Sequence, residues 1–219
     1  MQPDIPISIV ILTYNRMDLL NSLLSSLEKI EYQELEIIVV DNHSEDETEN
    51  MIKKYHQGCI YFKTDNNIGV GARNIGLNKA KGEIVICLDD DVFGIDDYSI
   101  KKIIQIFSDN HHVGAINFKI IDHFTSEQCN WVHHCKREEY SDSFFETYEI
   151  TEGAVAFRKE ALGKSGLYAE YFFIGHEGPD LAFRLMDNGY SVVYTGDVTV
   201  NHCHSNLGRK TWHNYYYDT

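Results

Sequence analysis

Three apolar runs of strand length, the first two leading into helical stretches and the third following one, constrain this chain more than any other feature. They are Ser8-Ile9-Val10-Ile11-Leu12, Glu36-Ile37-Ile38-Val39-Val40 and Ile84-Val85-Ile86-Cys87-Leu88. A strand with one wet face alternates apolar and polar residues, whereas a continuous β-branched run fits a parallel strand covered on both faces. Leu19, Leu20, Leu23, Leu24 and Leu27 share one helical face after the first run. Ser44 and Glu47 have capping-box spacing, which predicts a helix from about Glu45 after the second run. Ile60-Tyr61-Phe62 gives a short further strand, and a helix from about Ala72 to Ala80, closed by Gly82, leads into the third run. This βαβαβαβ order implies an α/β doubly wound sheet that binds ligands outside the carboxyl ends of its strands.

The third run ends in Asp89-Asp90-Asp91. Three carboxylates at a fixed strand end repel one another unless a cation or solvent screens them. Hard divalent cations take oxygen ligands and bridge carboxylates to substrate phosphates, so the triplet points to a metal–diphosphate site. Acidic residues outnumber basic ones by 34 to 19, a formal charge of −15, which argues against a nucleic-acid partner. A phosphorylated ligand stays compatible, because the metal brings positive charge.

The remaining chain is less regular. Ile100, Ile103, Ile104 and Phe107 mark a helix, Val113 to Ile121 a strand, and Ile150 to Phe157 a strand interrupted by Gly153. Asp122 to Tyr148 resists assignment. Pro179 suits a first helical residue, with the helix running to about Asn188 and ending at Gly189. Ser191 to Tyr194 and Val198 to Val200 read as two short strands. With 219 residues, no repeat and no linker, the expectation is one domain over 1–219, its ligand-binding half at 1–121 and a second half at 122–219. The ending at Tyr215-Tyr216-Tyr217-Asp218-Thr219 suggests a piece of a longer protein. No run is long enough to span a membrane, and Met1 to Pro6 lacks the makings of a signal peptide. Five widely spaced cysteines fit free thiols and a cytoplasmic setting better than a disulfide framework.

Several motifs carry chemistry. Thr13-Tyr14-Asn15-Arg16 and Asp41-Asn42 follow the first two strands, where an aromatic ring stacks on a base and Asp41 accepts a hydrogen bond or caps a helix. Gly69-Val70-Gly71-Ala72-Arg73-Asn74-Ile75-Gly76 is not the dinucleotide fingerprint, and no Walker lysine occurs. A phosphatase aspartate would follow the first strand, not about the fourth. His202 and His204 alternate in an extended segment and so face one side. Cys129, His133, His134 and Cys135 match no familiar zinc spacing. Trp131, Trp212 and Tyr215 to Tyr217 suit sugar stacking or packing.

Taken in order, SIVILTYNR (8–16), EIIVVDNHSEDET (36–48), NIGVGARNIGLNKAKGEIVICLDDD (67–91), TEGAVAFRKEAL (151–162), FFIGHEGPDLAFRLMDNGY (172–190) and VNHCHSNLGR (200–209) resemble the inverting, family-two-type nucleotide-sugar glycosyltransferases of the GT-A fold. The resemblance covers nearly the whole chain. It implies a Rossmann-like, mostly parallel sheet flanked by helices, with a smaller mixed sheet region on the acceptor side. It further implies that Tyr14 and Asp41 hold the nucleobase, with Thr13, Asn15 and Asn42 nearby, that Arg73 faces the nucleotide and that Asp90 meets the ribose. Asp91, with Asp89 close by, would ligate Mg²⁺ or Mn²⁺ on the donor diphosphate, completed by His202 or else His204. The family's Glu-Asp pair corresponds to Glu177-Gly178, so the second acid is missing; Glu177 is the first choice of base and Asp180, four residues before Arg184, the second. The implied partners are a nucleotide diphosphate sugar and a glycan or lipid-linked acceptor, which leaves peripheral association with the inner membrane face open. The rival readings are a nucleotidyltransferase and a catalytically inactive sugar-nucleotide binding module.

Overall fold

The computed structural model describes residues 5–204. In chain order its elements are β1 (Ile7–Thr13), α1 (Met17–Leu27), β2 (Leu35–Asp41), α2 (Thr48–Tyr55), β3 (Ile60–Lys63), α3 (Arg73–Lys79), β4 (Ile84–Asp89), β5 (Val92–Phe93), α4 (Asp97–Asp109), β6 (Val113–Asp122), α5 (Arg137–Tyr140), β7 (Phe144–Thr147), β8 (Ala154–Arg158), α6 (Lys159–Ser165), α7 (Glu177–Asp187) and β9 (Ser191–His202). The strands form one sheet in the order β3-β2-β1-β4-β8-β6-β9-β5, with β7 also on β9.

The half from β3 to β4 is parallel throughout. From β8 onward the sheet is mixed: β8 runs antiparallel to both β4 and β6, while β9 is parallel to β6 and antiparallel to β5 and β7. The three apolar runs bury both faces, as continuous patterning requires. Ile7, Ile9 and Ile11 with Ile84, Ile86 and Leu88 pack under α1, α2 and α4, against Leu20, Leu23, Met51, Ile103 and Phe107. Val10, Ile38, Val40, Val85 and Cys87 point to the other layer, against Leu77, Leu162, Leu181 and Leu185 of α3, α6 and α7. The stripe of α1 leucines is buried at Leu20, Leu23, Leu24 and Leu27, and burying each such side chain favours folding by roughly 1.5–3 kcal/mol.

Four sequence expectations need correction. α2 begins at Thr48, not Glu45, because Ser44 turns away: its N–H donates to Asp41 Oδ1 and its hydroxyl accepts the Asn15 N–H. Helix α7 starts at Glu177, so Pro179 is its third residue. β8 starts at Ala154, since Gly153 takes a left-handed φ of 76°. Finally, β9 is one strand of 12 residues, with a register irregularity opposite Phe118 and Lys119 where two strands were expected. All five cysteines are free. No helix among the described residues is long and apolar enough to cross a membrane. Trp212 and Tyr215 to Tyr217 lie outside the described residues.

Candidate active site

The carboxyl ends of β1, β2 and β4 lie side by side because the registers pair Thr13 with Asp41 and Leu12 with Asp89. Antiparallel β8 adds its start to the same edge, pairing Ala154 with Leu88. Strand β9 returns through β5, where His202 stands opposite Val92. Five segments distant in sequence thus meet around the acidic triplet.

Arg16, at the start of α1, binds two of the three acids. Its Nη1 lies 2.9 Å from Asp90 Oδ1 and 2.9 Å from Asp91 Oδ2. The Thr13 hydroxyl donates to Asp90 Oδ2 at 2.7 Å. Asp90 is buried, and burial pushes its carboxyl up to about 6 although Arg16 and Thr13 pull it down. Arg16 is itself raised by the same acids against its own desolvation.

Asp89 diverges from its neighbours. Its Oδ1 accepts from Arg73 Nη2 at 2.6 Å, and Arg73 also donates to the Leu88 carbonyl. Arg73 is 1% exposed, so it braces the strand end from beneath instead of presenting an open guanidinium to a nucleotide. Two guanidinium groups therefore offset three carboxylates, and a net negative charge persists at the corner.

Asp91 is the acid best placed for a cation. Its Oδ1 faces His202 Nε2 at 3.2 Å, both side chains being buried. His204 lies tilted against His202 with ring centroids 3.8 Å apart, and its Nε2 lies 3.8 Å from Asp122 Oδ2. Cys129 joins them: ligand atoms of Cys129, His202 and His204 lie within 4.8 Å of one another, the one such group among the described residues. The Cys129–His133–His134–Cys135 set does not gather. His133 instead sits edge-on to Trp131, with its Nδ1 3.1 Å from the Thr147 hydroxyl. Trp131 packs on Tyr194 and donates to the Cys135 carbonyl.

A carboxylate facing an imidazole suits Mn²⁺, a borderline cation that accepts both oxygen and nitrogen. Asn130 Nδ2 contacts His202 Nδ1 at 3.1 Å. That amide orientation puts the ring proton on Nε2, towards Asp91. Ligation through Nε2 requires the opposite amide orientation, with the Asn130 side-chain oxygen accepting the proton of Nδ1.

The β2 end is organised inwards. Asp41 is fully buried; its Oδ1 accepts the Ser44 N–H at 2.6 Å and its Oδ2 the Tyr61 hydroxyl at 2.6 Å. Asn42 donates to Asn67 and Gly69 and accepts the Ile68 N–H, so it pins the loop before α3. Asn15, at a φ of 54°, accepts the Glu45 N–H. Tyr14 is half-buried in the same turn.

On the other side lie the acids at the head of α7. Glu177 is 2% exposed and its Oε2 has no hydrogen-bond partner; burial raises its carboxyl. Asp180 is held by Arg184, whose Nε and Nη2 donate to Oδ2 at 3.0 and 2.6 Å while the same guanidinium caps the Ser165 and Leu167 carbonyls. Asp180 thus has the helix-anchoring role that its i, i+4 spacing allows. Sequence reasoning missed Arg16 and Tyr61; the resemblance placed Glu152-Gly153-Ala154 on the acceptor-side strand but gave Glu152 no chemical role. Only Arg16 had a signal, a cation in the turn facing an acidic triplet.

Comparison with known proteins adds the following. The family model described as "Glycosyl transferase family 2" matches residues 8–166. An uncharacterised protein of Haemophilus influenzae is 32% identical over 170 residues, which cover 73% of this chain and 91% of that protein. The poly-β-1,6-N-acetyl-D-glucosamine synthase of Staphylococcus epidermidis is 33% identical over 113 residues, 50% of this chain and 27% of the synthase. Among solved structures, a mannosyltransferase from Pyrobaculum calidifontis in complex with GDP-Man and Mn²⁺ superposes with a TM-score of 0.74 at 20% identity, over 94% of this chain and 59% of that one. The chain thus spans only part of the length of these two named enzymes.

Proposed function

This chain belongs to glycosyl transferase family 2, and from that premise we propose that it transfers a sugar, with inversion, from a nucleotide diphosphate sugar to a hydroxyl of a glycan or lipid-linked acceptor. The observation that carries the reading is the convergence of Asp91 Oδ1 and His202 Nε2 at 3.2 Å beside the Asp90–Thr13–Arg16 network. Asp91 and His202 would hold the divalent cation, with His204 behind. The mannosyltransferase of the same fold was solved with GDP-Man and Mn²⁺, which supports both a nucleotide-sugar donor and manganese. When bound, the cation supplies positive charge against the charge that develops on the departing diphosphate.

The chain's own residues do the rest. Tyr14 offers a ring face to the base, and Asn42 holds the loop that walls the nucleotide side. Asp90, oriented by Thr13 and Arg16, receives a ribose hydroxyl. Arg16 can move its bond from Asp91 towards a phosphate without leaving Asp90. The acceptor hydroxyl loses its proton to a carboxylate of the acceptor side, where the turn before β8 meets the head of α7, a step that general bases accelerate by about 10²–10⁴-fold. Asp180 is a poor candidate because Arg184 occupies it.

The absent second acid at Gly178 favours one rival, an inactive module that binds the donor without turning it over. Thermal-shift measurements with GDP-mannose and UDP-N-acetylglucosamine, with and without Mn²⁺, test binding, since a ligand of the folded state raises its stability. NMR of the released or transferred sugar then tests turnover and inversion. Failure of both donors to stabilise the protein with Mn²⁺ counts against the reading; stabilisation without turnover selects the module.

A further inference from the structure

We propose that Glu152, a residue of the turn before β8, is the base that takes the acceptor proton, its carboxylate replacing the acid that Gly178 lacks. The inference rests on the transferase reading above and assigns a catalytic group within it.

The geometry begins with the sheet. Because β8 runs antiparallel to β4, the residues before Ala154 stand beside Asp89. Gly153 makes this approach possible. At its left-handed φ of 76°, a Cβ would fall 2.3 Å from Asp89 Cγ, and its carbonyl accepts the Asp89 N–H. No other residue type fits there, so Glu152 is locked one position beyond the acidic strand end. Helix α7 closes over it from the other layer. A Cβ on Gly178 would lie 2.0 Å from Glu152 Oε1 and 2.4 Å from the Ile150 carbonyl oxygen. Thus the Glu152 carboxylate occupies the room that a side chain at 178 would claim. The missing acid and the intruding acid are two sides of one packing arrangement.

Glu177 is 2% exposed, as Asp90 is, and Glu152 is partly buried. The Glu152 carboxylate itself is largely desolvated against α7; what distinguishes it is its place in the room left by Gly178, beside Asp89 through Gly153. Glu177, Arg73, Asp89 and Tyr168 surround it electrostatically, and burial with the Glu177 charge raises the Glu152 carboxyl to about 7. That value suits a base working near neutrality. In the step itself, the ionised carboxylate accepts the proton of the acceptor hydroxyl as that oxygen bonds to the anomeric carbon. The bond from the anomeric carbon to the diphosphate oxygen breaks, and its electron pair leaves with the nucleoside diphosphate. The protonated Glu152 then returns its proton to water.

The test compares Glu152→Gln with Glu177→Gln in the whole chain, with Mn²⁺ and GDP-mannose or UDP-N-acetylglucosamine, using release of the nucleoside diphosphate to water or an added glycan as the readout. The thermal shift produced by donor plus Mn²⁺ is measured in parallel. Glu152→Gln should keep the wild-type donor shift and lose about 100-fold or more of turnover, with Glu177→Gln losing less than about tenfold. Glu152→Asp, which shortens the side chain but keeps the carboxylate, should recover part of the rate. Turnover intact in Glu152→Gln, or an equal loss in both glutamine variants, overturns the assignment. A wild-type chain that shows no donor shift at all defeats the transferase reading instead.

Discussion

Replacing Glu152 by glutamine should stabilise the protein, and only at pH values above the ordinary carboxyl range, where the unfolded chain ionises. The carboxyl rises from an ordinary 4.5 to about 7, chiefly through burial and then through Glu177, with Asp89 adding and Arg73 opposing. A carboxyl that binds its proton more tightly in the folded state destabilises the fold when it ionises. Below about pH 4.5 the group is protonated in both states and takes nothing from stability. Between 4.5 and 7 the unfolded chain ionises first, and folding free energy declines by up to about 1.4 kcal/mol per pH unit. Above 7 the loss levels off at about 3 kcal/mol, a ceiling because Glu152 retains some contact with water. Glutamine has no such proton to lose. Urea melts of the metal-free protein at pH 5.5, 6.5, 7.5 and 8.5 should therefore show a stability difference that grows with pH towards that ceiling. For a chain of this length the same ceiling amounts to about 6–12 °C in melting temperature. A difference constant across the series, or one that favours the wild type more at high pH, would refute the electrostatic reasoning.

Other perturbations have distinct signatures. Asp91→Asn should abolish the extra donor stabilisation that Mn²⁺ gives, while leaving any metal-independent shift in place; a preserved manganese effect would move the cation away from Asp91. Gly76→Ala should destabilise by about 1–3 kcal/mol, the range for overpacking, because its Cβ would stand 2.4 Å from Val10 Cγ1, and urea titration should show Val10→Ala relieving part of that in the double variant. Asp180→Asn should weaken the α6–α7 junction by about 1–2 kcal/mol through loss of a charged hydrogen-bond pair, with turnover reduced less than about tenfold in the donor-release assay.

The parallel half of the fold was legible because its signals are local. The apolar runs at Ser8–Leu12, Glu36–Val40 and Ile84–Leu88 each coincide with a strand to within one or two residues. Buried two-faced strands carry that pattern whatever surrounds them. The antiparallel insertion of β8 beside β4 has no local signature, because strand direction is set by connections more than 60 residues long. The α2 boundary was misread for a related reason. Ser44 has the right spacing to Glu47, but a backbone N–H from Asn15, in another turn, claims its hydroxyl. In the candidate site, the acids were visible as an unusual triplet and their individual partners were not. That Asp89 goes to Arg73 and Asp90 to Arg16 follows from which side of β4 each side chain leaves. Glu152 stood out in the sequence only as part of the acceptor-side segment Glu152-Gly153-Ala154, because its proposed role depends on the room that Gly178 leaves for its carboxylate.

The adjacency of β4 and β8 has a geometric corollary. Neighbouring strands are about 4.8 Å apart and share a ladder of hydrogen bonds, so the corner that would grip the leaving group and the corner that would receive the proton belong to one stiff plate. No joint lies between them to open or close. Any change of acceptor would then have to come from the excursion at residues 122–148 or the approach of α7, while the chemical spacing stays as the backbone sets it.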